Sequence, residues 1–169
     1  MPKWAKAISR TQRILSVYYL FRHCEEVSMQ ELSGLLPGSS KTFSRDIALL
    51  KRAGVQIRYS SRRRAFVLAA GQFVKPNFPE GKADIRFLEK IIRLIAAMDA
   101  IPYEDCDIWY ADTFFWVSRR TMQRDFAVLD SLGYRMIYER SEENPNDVPP
   151  RRYYCEAPED TYSLETFRN

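Results

Sequence analysis

Arg45-Asp46 opens "RDIALLKRAGVQIRY" and Arg124-Asp125 opens "RDFAVLDSLGYRMIY", 79 positions further along. Aligned without a gap, residues 41–59 and 120–138 are identical at Thr42/Thr121, Arg45/Arg124, Asp46/Asp125, Ala48/Ala127, Leu50/Leu129, Gly54/Gly133 and Tyr59/Tyr138. Chance does not produce such agreement, and it restricts the fold more than any other feature, because whatever surrounds the first copy must be built twice. Each copy reads as an amphipathic helix ended by glycine and followed by a β-rich run. Two copies are too few for a solenoid, so tandem domains are expected.

The first half predicts three helices and a hairpin. A helix from about Ser9 to Cys24 carries an apolar stripe of Ile14, Leu15, Tyr18, Tyr19 and Phe21 or Arg22. "SMQE" at 28–31 is a capping box, in which the Ser hydroxyl and the Glu carboxylate satisfy each other's backbone donors. It starts a short second helix that ends by Leu36-Pro37-Gly38. Ser39 or Ser40 caps a third helix, whose Phe43, Ile47 and Leu50 face inward and whose Lys41, Thr42, Ser44, Arg45 and Ala48 face out. After Gly54, "VQIRY" and "AFVLA" flank "SSRRR" as the strands of a hairpin.

Three helices and a basic-tipped hairpin follow the plan of a winged helix-turn-helix. In that plan the third helix enters a major groove with its N-terminal side chains toward base edges and phosphates. Arg62, Arg63 and Arg64 at the wing tip suit phosphate oxygens, which guanidinium forks grip well, although a charge run at a hairpin tip also serves as ordinary solvated surface.

"SSKTFSRDIALLKRAGVQIRYSSRRRAFVL" and "VSRRTMQRDFAVLDSLGYRMIYE" resemble the helix-turn-helix signature of the DeoR-type and WYL-type bacterial transcriptional regulators. The resemblance implies an N-terminal DNA-binding domain. Carried over by position, the DNA-facing residues are Ser39, Ser40, Lys41, Thr42, Ser44 and Arg45, and in the second copy Ser118, Arg119, Arg120, Thr121, Gln123 and Arg124. Such regulators usually continue into an effector-sensing domain; no such region follows the second copy, so ligand control within the chain is not expected.

The second copy is less regular. Phe87, Leu88, Ile91, Ile92, Leu94, Ile95 and Met98 predict a long apolar helix stopped by Pro102, and "YEDCDIWYADTFFW" precedes the capping Ser118. Met122, Phe126 and Leu129 repeat the inward stripe. Residues 134–138 and 152–156 are the expected wing strands, joined by a loop whose Glu142, Glu143 and Asp147 suit phosphate badly. Trp109, Tyr110, Phe114, Phe115 and Trp116 are either core or anchors of a dimer interface, and large aromatics more often are core.

Charge separates the halves. Residues 1–75 hold 14 Lys+Arg against 4 Asp+Glu, net +10, and residues 76–169 hold 12 against 18, net −6. The basic half attracts a polyanion. No apolar run reaches the roughly 18 residues that span a bilayer, "MPKWAKAISR" lacks the apolar core of a secretory signal, and a cytoplasmic protein is expected, associated with the bacterial nucleoid if bound to DNA. Cys24, Cys106 and Cys155 are widely spaced, as reduced packing thiols are. There is no nucleophile elbow, glycine-rich phosphate loop or metal-spaced cluster, so neither an enzyme nor a metal or other cofactor is expected.

The expectation is therefore a mainly α protein with small β-hairpin wings, α+β in class. It comprises a first winged helix-turn-helix domain over 1–70, a linker over 71–83, a second domain over 84–157 and an acidic C-terminal tail over 158–169. The expected partners are double-stranded DNA through the first domain and, through the second, either a homodimer mate or other protein or a weak auxiliary DNA contact by Arg119, Arg120 and Arg124. Whether Asp46 and Asp125 act in binding or pair with a base inside their own domains is open at this level. The alternative function is a tandem winged-helix scaffold in a chromosome-organising complex.

Overall fold

A computed structural model of the chain describes residues 8–69, 73–103, 105–140 and 151–156. The described residues are mainly helical, with two small antiparallel hairpins. They form two compact units that divide inside one helix, between Ile92 and Arg93.

In the first unit, α1 (Arg10–His23) starts at a capping box between Ser9 and Gln12 that the sequence reading did not single out. Residues 14–21 are all buried, so the helix buries more than the expected stripe, and Phe21 rather than Arg22 lies inside. Helices apolar on every side are buried on every side. Helix α2 (Met29–Leu35) begins at the expected Ser28–Glu31 box, with Glu31 Oε2 accepting from the Ser28 amide at 2.8 Å. Helix α3 (Ser40–Arg52) buries Phe43, Ile47 and Leu50 against α1 and α2. Gly54 follows with φ +101°, a conformation open to glycine and strained for other residues.

Strands β1 (Ile57–Ser60) and β2 (Ala65–Leu68) pair from Ile57↔Leu68 to Ser60↔Ala65. Val27, just before α2, extends this sheet by exchanging two backbone hydrogen bonds with Phe66, at 2.9 and 2.8 Å. Beyond the hairpin, residues 73–81 carry no helix or strand, as the proline and glycine content of the expected linker implies. They nevertheless return to the end of α3. The Val74 amide donates to Gly54 O at 2.9 Å and the Asn77 amide to Arg52 O at 2.8 Å. A Cβ on Gly54 would collide with the Val74 carbonyl oxygen, so close approach and backbone angle both require glycine here.

Helix α4 (Lys82–Ala100) carries the division between the units and ends just before Pro102, as expected, with a 3-10 turn, Ile101–Tyr103, after it. Within the first unit, the Arg10 guanidinium lies over the Phe87 ring, 4.5 Å from its centroid. In the second unit α5 (Cys106–Thr113) and α6 (Arg119–Ser131) lead into β3 (Arg135–Arg140) and β4 (Arg151–Glu156), paired from Arg135↔Glu156 to Arg140↔Arg151. Helix α6 buries Met122, Phe126 and Leu129, matching the inward residues of α3. Glu142, Glu143, Asp147 and the tail from 158 lie outside the described residues.

Candidate nucleic-acid interface

The paired Arg-Asp motif divides its two residues between inside and outside. Successive helical residues point about 100° apart, so the arginine and aspartate cannot share a face. Asp46 is 2% exposed and Asp125 is 2% exposed, while Arg45 and Arg124 both stand in solvent. Of the two roles open for the aspartates, pairing within their own domain is the one the geometry shows.

Each aspartate meets an arginine from the first helix of its own copy. Arg13 of α1 donates from Nε to Asp46 Oδ2 at 2.6 Å and from Nη2 to Oδ1 at 3.1 Å, a two-point grip that fits the planar guanidinium. In the second copy Arg93 donates from Nε to Asp125 Oδ2 at 2.9 Å. Tyr110 of α5 adds its hydroxyl, donating to the same oxygen at 2.6 Å and accepting from Arg93 Nε at 3.1 Å. Helix α5 buries Cys106 and Tyr110, where α2 buries Leu32.

These contacts also fix charge states. The hydrogen bond to Asp46, against a smaller desolvation cost, holds the Arg13 pKa above its ordinary value. For Arg93 burial opposes the charge most, and the hydrogen bond and charge of Asp125 more than reverse it. Burial, then the Asp125 hydrogen bond, pushes the Tyr110 phenol up as well. Sequence reasoning missed Arg13, Arg93 and the Tyr110 hydroxyl as partners. The available signal was their spacing, since Arg13 and Arg93 lie 80 positions apart, almost the repeat offset.

Around this fixed interior the expected DNA-facing residues behave unequally. Ser39 is the N-cap of α3, its Oγ accepting from the Thr42 amide at 3.3 Å and lying 3.0 Å from Thr42 Oγ1. Ser118 and Thr121 reproduce this arrangement at 3.3 and 3.1 Å. Both Ser/Thr pairs are therefore occupied in capping, and Thr42 is a weaker candidate for a base edge than its side-chain type implies. Ser44 donates back to Ser40 O at 2.9 Å. Ser40, Lys41 and Arg45 are exposed on α3, as are Arg119, Arg120, Gln123 and Arg124 on α6.

The hairpin tip departs from expectation in one residue. Arg62, Arg63 and Arg64 are all exposed in the turn between β1 and β2, with Arg64 at φ +52°. Arg63 Nη1, however, lies 3.2 Å from Glu26 Oε2, brought close by the neighbouring bridge of Val27 to Phe66. Arg62 and Arg64 show no ion pair among the described residues.

Three of the four acids before residue 76 are taken up internally. Asp46 is buried on Arg13, Glu26 pairs with Arg63 and Glu31 closes the Ser28 box. Lys41, Arg45, Lys51, Arg52, Arg58, Arg62 and Arg64 are exposed, as are Glu25 and, further along the same unit, Glu80, Asp84 and Glu89. In the second unit the balance is different. The Asp130 and Asp107 carboxylates accept from the backbone amides of Met136 and Tyr153, Glu156 pairs with Arg135, and Asp112 is exposed.

Of the aromatic candidates, Tyr110 and Phe114 are core and Trp109 is half-buried, but Phe115 and Trp116 are exposed. All three cysteines are free thiols, and Cys106 is fully buried. Among the described residues no helix is long and apolar enough to cross a membrane. Comparison with protein-family models, curated proteins and solved structures returns no match.

Proposed function

We propose that this chain is a DNA-binding transcriptional regulator of tandem winged helix-turn-helix architecture, acting in the cytoplasm on the nucleoid. Helix α3 enters the major groove, and Arg62 and Arg64 of the hairpin hold the adjacent backbone. The observation that carries this is the exposed basic surface of α3 and the hairpin: Asp46, Glu26 and Glu31 are held by internal partners, and Lys41, Arg45, Arg58, Arg62 and Arg64 stand exposed for an external polyanion. The resemblance of the α3 segment to DeoR-type and WYL-type regulators supports the same conclusion. Lys41, Ser40 and Arg45 are the residues for base edges and nearby phosphates, with Ser39 and Thr42 setting the start of the helix.

Duplex affinity should fall steeply with salt. Replacing Arg62 and Arg64 by Ala lowers the log–log slope by about two units, at roughly 0.9 per phosphate contact. Replacing Lys41 by Ala changes which sequence a random pool yields, by about 1–3 kcal/mol per lost base contact, whereas a uniform loss assigns Lys41 to phosphate. Absence of duplex binding at low salt overturns the proposal in favour of a protein-interaction scaffold.

A further inference from the structure

We propose that the turn entering α6 is a stacking site for unpaired bases, through which the second unit binds single-stranded DNA. This extends the proposed function to a second unit and a second form of DNA.

Two large rings stand in solvent at this turn. Phe115 is 81% exposed and Trp116 is 67% exposed, the highest values among the exposed large apolar residues. The pair is tied to the core through Trp116. Their rings meet edge to face at 5.0 Å, and Trp116 meets the buried Phe114 in the same manner at 5.9 Å. Phe114 in turn packs on Tyr110 at 5.1 Å, and the Val117 amide closes the turn on Phe114 O at 2.8 Å. A ring anchored before binding loses little conformational freedom on binding, which favours recognition by stacking.

The first copy has nothing comparable. Its matching turn is Leu36-Pro37-Gly38, where Leu36 is buried as Phe114 is and the Phe43 ring closes beneath Gly38. The aromatic turn is therefore not required by the shared architecture.

Charge then selects the partner. Arg119, Arg120 and Arg124 are exposed within two helical turns of the rings, Arg120 and Arg124 being spaced to share a face. Exposed rings beside exposed arginines suit a single strand, which is held by base stacking and phosphate contact together.

The test uses the intact chain with a labelled oligo-dT of roughly 16 nucleotides and, separately, a blunt duplex, both at low salt. The F115A/W116A variant should lose about tenfold or more in oligo-dT affinity, keep its duplex affinity within about twofold and melt as the wild type does. W116F should retain most of the single-strand binding. R62A/R64A should show the opposite pattern, weakening the duplex alone. The proposal is overturned if wild type fails to bind oligo-dT, if F115A/W116A binds it as wild type does, or if an oligo-U strand binds more tightly than oligo-dT. Loss of a dimer in F115A/W116A with oligo-dT affinity unchanged would instead make the rings a self-association surface. Oligo-dT binding without duplex binding would sink the proposed role of α3 and leave this site standing.

Discussion

The two copies keep the same inward side and differ over much of the outward one, where exposed Arg45/Arg124, Ala48/Ala127 and Tyr59/Tyr138 are nevertheless shared. In each, an aspartate at the same position of the third helix is buried against an arginine from the first, and the same Ser/Thr pair caps the helix. Outward, α3 begins with Ser40, Lys41 and Ser44, where α6 has Arg119, Arg120 and Gln123. The turn before the helix is Pro37-Gly38 in one and Phe115-Trp116 in the other. Repetition in this chain therefore follows the buried side first, and most of the divergence lies on the exposed one.

The sharpest way to break that comparison is to remove the shared aspartates. Asp125→Ala strands both Arg93 and Tyr110, and should cost about 3–5 kcal/mol in urea unfolding, as breaking a buried pair does. Asp46→Ala strands Arg13 alone and should fall at the lower end of that range; equal losses would mean that Tyr110 adds nothing. Tyr110→Phe tests the added hydroxyl directly. It should cost about 1.5–3 kcal/mol, the range for hydrogen bonds to charged groups, while leaving the Arg93–Asp125 pair in place.

The smallest expected effect separates the copies by pH. Burial, with Cys155 nearby, pushes the Cys106 thiol from 9.0 up to about 12, and burial followed by the charges of Asp130 and Glu156 pushes Cys155 up to about 11. Folding thus retains protons that the unfolded chain releases. The resulting stability is intact below pH 9.0 and is lost as pH rises through the folded values. Melting of the second unit should decline from pH 9 to 11, and Cys106→Ala should flatten the decline; an unchanged slope in that variant would exclude the thiol as its cause.

What could be read in the sequence was local. The stripe of Phe43, Ile47 and Leu50, its echo in Met122, Phe126 and Leu129, and the Ser28 box each depend on spacings of three or four residues, and each is found. The fate of Asp46 was not readable because its partner lies 33 residues away, and no local pattern encodes a tertiary ion pair. Arg63 is drawn to Glu26 across 37 residues for the same reason. Residue type also misled at Thr42, whose hydroxyl suits a base edge and a helix cap equally; only the geometry distinguishes them. Core and exposed anchor stay open for Phe115 and Trp116 in the sequence, because large rings usually go inside and their neighbours Tyr110 and Phe114 do.

The return of residues 73–77 to the end of α3 bears on how the chain can be cut or shortened. A fragment ended at Leu68 to isolate the first unit would discard the donors that satisfy Gly54 O and Arg52 O, and with them the segment against which Gly54 is fitted. It would also discard Phe87, on which Arg10 rests. The smallest self-sufficient piece of the first half therefore extends into α4, and the stretch between the copies is a clasp whose length cannot be trimmed as a spacer's can.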